Sequence, residues 1–68
     1  MTFEERLNVI IKDRATTKAG LARKLGMHEN TFHNKSKKLE SWNVVEFNKM
    51  VEELRLTDEE VTFLTAEG

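Results

Sequence analysis

A chain of 68 residues with 38% hydrophobic side chains, no cysteine and a net charge of −1 has room for one small domain, residues 1–68, and no second module. Without cysteine there is neither a disulfide framework nor a thiolate metal site, which fits a reducing cytoplasm. No apolar run approaches a membrane span, the N-terminal residues lack the apolar core of a signal peptide, and three glycines, no proline and 34% charged residues favour an all-α fold.

Thr2-Phe3-Glu4-Glu5 has the spacing of a capping box, with Thr2 at the cap and Glu5 reaching back. Phe3, Leu7, Ile10 and Ile11 recur at helical spacing and predict a first helix to about Asp13 or Arg14. Its polar face mixes Glu4, Glu5 and Asp13 with cations, which suits packing on a core better than an anionic lipid surface. Ala15-Thr16 connects to a second helix capped by Thr17, in which Leu21, Ala22 and Leu25 share one face. Ala22 is small where two helices would cross. Gly26, directly after Leu25, predicts a left-handed helix end, a conformation only glycine takes without strain. Met27 supplies an apolar plug. A third helix begins at His28 or Glu29 and turns Phe32 inward. Two short helices thus share a small core across a tight turn.

After Lys38 a loop runs through Ser41. Asn43 and Glu46 form a second capping box, with Trp42 placed to staple onto Phe47 and to join the core. Phe47, Met50, Val51 and Leu54 continue the stripe of a fourth helix. Val44 and Val45 are adjacent and cannot both face one core. Thr57 and Glu60 repeat the box for a fifth helix, with Leu56 placed to staple onto Val61, and Asp58, Glu59 and Glu60 suit the positive end of its dipole. Val61 and Leu64 face inward, Phe63 lies off that stripe, and the helix frays near Ala66.

Charge is strongly polarised along the chain. Lys12 to Lys38 carries eight basic residues against two acidic ones, a net of +6, and Leu39 to Gly68 carries two against eight, a net of −6. Such a chain can turn a basic face to phosphate and keep an acidic back in solvent. Little in it suits catalysis. His28 and His33 are five apart and share no helical face, the glycines are isolated, and no nucleophile is paired with a base. No enzymatic activity, cofactor, metal or small-molecule substrate is expected.

Leu21-Ala22-Arg23-Lys24-Leu25-Gly26-Met27, followed by Thr31-Phe32, resembles the helix-turn-helix of the phage repressor, Cro and XRE family. Leu54-Arg55-Leu56-Thr57-Asp58-Glu59-Glu60-Val61 resembles that family's fourth helix end and fifth helix start, so the likeness covers nearly the whole chain. Phe32 stands where the family usually has Ile or Val, and His28 where it has a capping Ser. Lys37-Lys38-Leu39-Glu40-Ser41-Trp42 replaces a Gly- or Pro-bearing loop. The resemblance implies a compact five-helix lambda-repressor-like domain and a sequence-specific transcriptional regulator of double-stranded DNA from a phage or prophage. Its recognition helix, about residues 28–37, would lie in the major groove.

On that reading Glu29, Asn30, His33, Asn34 and Lys37 face out as base contacts. Asn can pair with adenine in bidentate fashion, and Glu can accept from cytosine. Thr17, Lys18, Thr31, Lys35 and Lys38 are placed for phosphate, and about five neutralised phosphates give a salt slope of about −4 to −5. Arg23 and Lys24 read equally well as solvated charges. A homodimer is expected at least on DNA, with Val44 or Val45 and Phe63 at the interface and Met50 as a marginal addition to it. Two other functions fit the same fold: an antirepressor that binds a partner protein through its acidic half, and an architectural or excision factor.

Overall fold

Three of the five helices start with the same reciprocal device. The Glu5 amide donates to Thr2 Oγ1 at 3.1 Å and the Thr2 amide to Glu5 Oε1 at 3.0 Å. Asn43 with Glu46, and Thr57 with Glu60, repeat the exchange at distances between 2.7 and 3.2 Å. Each box satisfies two amides that a helix start leaves without partners. In the computed structural model, which describes residues 1–66, these caps open α1 (Phe3–Asp13), α4 (Val44–Leu54) and α5 (Asp58–Thr65). Thr17 caps α2 (Lys18–Lys24) by accepting from the Gly20 amide at 3.0 Å. His28 caps α3 (Glu29–Lys35), its Nδ1 accepting from the Asn30 amide at 3.3 Å. A 3-10 turn at Leu39–Ser41 occupies the loop before α4. The domain is all-α, as expected.

Three helices also end alike. Gly26 (φ 71°) has the predicted left-handed conformation, and Ala15 (φ 52°) and Arg55 (φ 50°) share it. At each, the left-handed residue's amide bonds back three residues and the next amide bonds back five: Thr16 to Ile11 O, Met27 to Ala22 O and Leu56 to Val51 O, at 2.9–3.2 Å. This is the Schellman pattern of helix termination.

The inward stripes meet in one core of Leu7, Ile10 and Ile11 from α1, Leu21, Ala22 and Leu25 from the α2 region, Phe32 from α3, Trp42, Met50 and Leu54 around α4, and Leu64 from α5. Phe32 is 1% exposed and meets the edge of Trp42 with ring centroids 5.9 Å apart. Trp42 is a core residue, and its indole N–H donates to Lys35 O at 2.9 Å. Met50 is fully buried, so it cannot belong to a dimer surface.

Two cations of the basic segment are consumed inside the fold. Arg14 donates through Nε to Leu54 O at 2.9 Å, and its guanidinium pairs with Asp13 and Glu60, joining the end of α1 to the end of α4 and the start of α5. Lys35 Nζ pairs with Glu46 Oε1 at 2.9 Å. The Lys35 ammonium and the Asn43 amide hold the Glu46 carboxyl below its ordinary value of 4.5, and Arg14 with the Thr57 amide does the same to Glu60. A depressed folded-state value contributes stability above the unfolded value and loses it as pH falls through the folded one. The melting temperature is therefore expected to hold at about pH 5 and above as far as these groups govern it, and to decline below 4.5. A Glu46→Gln, Glu60→Gln double variant should decline less steeply in a melting series. An identical decline in both proteins would remove these carboxylates from the account.

Candidate nucleic-acid interface

The α2–α3 unit is built by a few side chains. Leu21, Ala22 and Leu25 are buried, Met27 is half-buried beyond the Gly26 turn, and Phe32 is the buried apolar residue of α3. Ser36, just past the helix, is fully buried, and its hydroxyl donates to His33 O at 2.7 Å. It lies four residues after Phe32, on the same face, a spacing that marked it as an inward residue although its polar type argued otherwise.

With Phe32 turned inward, the residues of α3 other than Lys35 face out. Glu29, Asn30, Thr31, His33 and Asn34 are exposed. Glu29 with His33, and Asn30 with Asn34, are four apart and adjacent on the helix surface. Four of the five expected base-contacting residues thus lie side by side on one outward helix. Lys37 is exposed but lies beyond α3, which ends at Lys35 and is shorter than the expected 28–37 span. It belongs to the turn that follows, with Lys38.

The phosphate set divides. Thr17, Thr31 and Lys38 are exposed. Lys18 keeps about a third of its side chain exposed and sits 3.9 Å from Glu4, a loose pair that solvent screens. Lys35 does not fit the assignment. Its Nζ donates to Ser41 O at 2.8 Å as well as to Glu46, and it keeps only 20% of its side chain exposed. Reaching a phosphate would break the ion pair with Glu46 and take the Lys35 donor from Ser41 O. Sequence spacing missed this because Glu46 is eleven residues away.

The residues expected at a dimer interface, Val44, Val45 and Phe63, are all exposed. Val44 and Val45 are 75% and 67% exposed. Val44 borders an apolar groove of about 250 Å³ with Leu39, Trp42, Phe47 and Thr65. Phe63 instead lies under the Arg6 guanidinium, 5.8 Å from the ring centroid, an arrangement that favours a cation over an aromatic face.

A second cleft, about 180 Å³, is lined by Arg14, Lys24 and Arg55 with Glu53, Leu21 and Leu54. Arg14 caps the end of α1, Lys24 is the last residue of α2 and Arg55 caps the end of α4. Cations at three helix C-termini answer the negative ends of three helix dipoles, which accounts for this cluster without a ligand. Among the described residues, no His, Cys, Asp and Glu side chains gather in a group able to hold a metal ion, and no helix is long and apolar enough to cross a membrane.

No protein-family model matches the chain, and no curated protein or solved structure matches it.

Proposed function

We propose that the protein is a sequence-specific, double-stranded DNA-binding transcriptional regulator of the phage Cro or small-repressor type, with α3 as the helix that enters the major groove. The observation that carries this reading is the outward row of Glu29, Asn30, His33 and Asn34 on a helix fixed behind by Phe32 and in front by the Gly26 turn. Amide and carboxylate side chains in such a row have the donor and acceptor pattern that reads base edges. Lys18, Lys37 and Lys38 supply charge for the flanking phosphates, with Thr17 and Thr31 as neutral hydroxyl partners. The resemblance to the phage repressor, Cro and XRE helix-turn-helix supports the same reading.

One observation favours a second reading, in which the outer face of α3 meets a protein: the internal pairing of Arg14 and Lys35 lowers the positive charge left for phosphate. Selection of bound duplexes from random DNA, followed by titration against salt, decides between them. With about three phosphates neutralised per subunit, log affinity should fall against log salt with a slope of about −3 per subunit. On the selected duplex Asn34→Ala should cost roughly 1–3 kcal/mol and relax preference at one position. Failure to enrich any sequence would sink the DNA reading, and equal weakening by Asn34→Ala on all duplexes would reduce Asn34 to a backbone contact.

A dimer on a two-fold site completes the proposal, because one short helix reads too few base pairs to single out one address among the ~10⁶ or more competing sites in a genome. The surface offered is the groove lined by Val44, Leu39, Trp42 and Phe47, with Val45 as an exposed apolar neighbour in sequence. Sedimentation with a palindromic duplex should give two proteins per duplex, reduced to one by Val44→Glu. One wild-type protein per duplex at saturation would rule the dimer out.

A further inference from the structure

We infer that Lys35 sets the pitch of α3 against α4, acting as a positioning residue for sequence recognition without touching nucleic acid. The inference rests on the DNA-reading role proposed for α3. Lys35 is the last residue of that helix and is held at both of its ends. Its ammonium donates to Ser41 O at 2.8 Å and to Glu46 Oε1 at 2.9 Å. Its carbonyl accepts from Trp42 Nε1 at 2.9 Å, while the Ser41 hydroxyl donates to Lys38 O at 2.7 Å. Glu46 Oε1 also accepts the Asn43 amide at 3.2 Å, so one carboxylate oxygen closes the α4 cap and holds the end of α3. Trp42 adds its edge contact to Phe32. Bonds from both ends of Lys35 therefore run into residues 41–46.

Helix α3 needs this fixture. It has seven residues and is about 10 Å long. Its N-terminal end is set by the Gly26 turn, and Phe32 is its buried apolar anchor. A tilt of about 10° pivoting at that turn moves the far end, where Asn34 sits, by nearly 2 Å, beyond the tolerance of a bidentate base contact. The clamp at Lys35 opposes that motion. Phosphate contacts, made through flexible lysine side chains, tolerate it.

Lys35→Met keeps the aliphatic stem and removes the ammonium, and Glu46→Gln keeps an oxygen for the cap and removes the charge. Each variant is titrated against the selected duplex and a scrambled one over a salt series. The expected result is a loss of about tenfold on the selected duplex, less than about twofold on the scrambled one, and an unchanged salt slope. A slope reduced by about 1 with equal weakening on both duplexes would make Lys35 a phosphate contact, and unchanged affinity for both would overturn the clamp. A wild-type protein that binds no duplex would remove the DNA reading while leaving the clamp testable in the free protein. There the Trp42 indole N–H and the α3 amides should exchange with solvent about tenfold faster in both variants. Unchanged exchange would overturn it.

Discussion

Replacing Phe32 with alanine is expected to leave much of the protein unfolded at 25 °C. The side chain is 1% exposed and sits where α3 meets the core and the edge of Trp42. Truncating such a residue removes its transfer free energy and leaves a cavity, at a cost of about 3–5 kcal/mol. A domain of this length has a total stability of roughly 3–10 kcal/mol, so the loss is comparable with the whole. Phe32 is also the buried apolar residue of α3, and no apolar neighbour on that helix can move in to refill the space. Urea unfolding followed by Trp42 fluorescence measures it, and Phe32→Leu should recover most of the loss. A cost below about 1 kcal/mol would mean that α3 is anchored by something other than its ring.

The second large effect is expected at the turn between α2 and α3. Gly26 has φ 71°, and a side chain built there would meet nothing within 4 Å. Any penalty for substitution is therefore torsional rather than steric contact with neighbours. Valine, branched at Cβ, should cost about 1–3 kcal/mol, and asparagine much less, because its side chain tolerates the left-handed region. The ordering Gly26, then Asn, then Val in urea midpoint tests the mechanism. A Gly26→Val protein with an unchanged midpoint would show that the backbone there relaxes freely. Because the same turn aims α3, Gly26→Val should also weaken binding to a selected duplex in any fraction that stays folded.

The parts of the fold written in neighbouring residues were legible, and the parts written across the chain were not. All three capping boxes, the Thr17 cap and the His28 alternative could be read from spacings of two or three residues. The inward residues Leu7, Ile10, Leu21, Phe32, Leu54 and Leu64 followed from helical periodicity. Of the three left-handed helix ends, only Gly26 was visible, since Ala15 and Arg55 carry no chemical mark of that conformation. Arg14 and Lys35 counted toward a basic face because charge is visible in sequence, whereas their partners lie 46 and 11 residues away. Helix α3 ends at Lys35, short of the expected 37, and the bonds that Ser41, Trp42 and Glu46 make to Lys35 come from beyond the helix, where local spacing does not show them. The outward set Glu29, Asn30, His33 and Asn34 was legible because one inward residue, Phe32, fixes the phase of a two-turn helix.

The joint between α1 and α5 has a kinetic meaning. It is closed by Arg14 on Glu60, by Arg6 on the Ala66 carbonyl and by the Phe63 ring under Arg6, groups separated by most of the chain. Bringing them together consumes the largest loop-closure entropy in the molecule, whereas α2 and α3 meet across a turn of a few residues. Early assembly of the pair that presents the outward row, with α5 docking onto α1 later, is the expected order. Arg14→Met or Glu60→Gln is then expected to speed unfolding more than it slows folding in stopped-flow urea jumps, and equal effects on both rates would place the joint inside the folding barrier. Lifetime of the folded state and speed of reaching it would then answer to different contacts in the same small molecule.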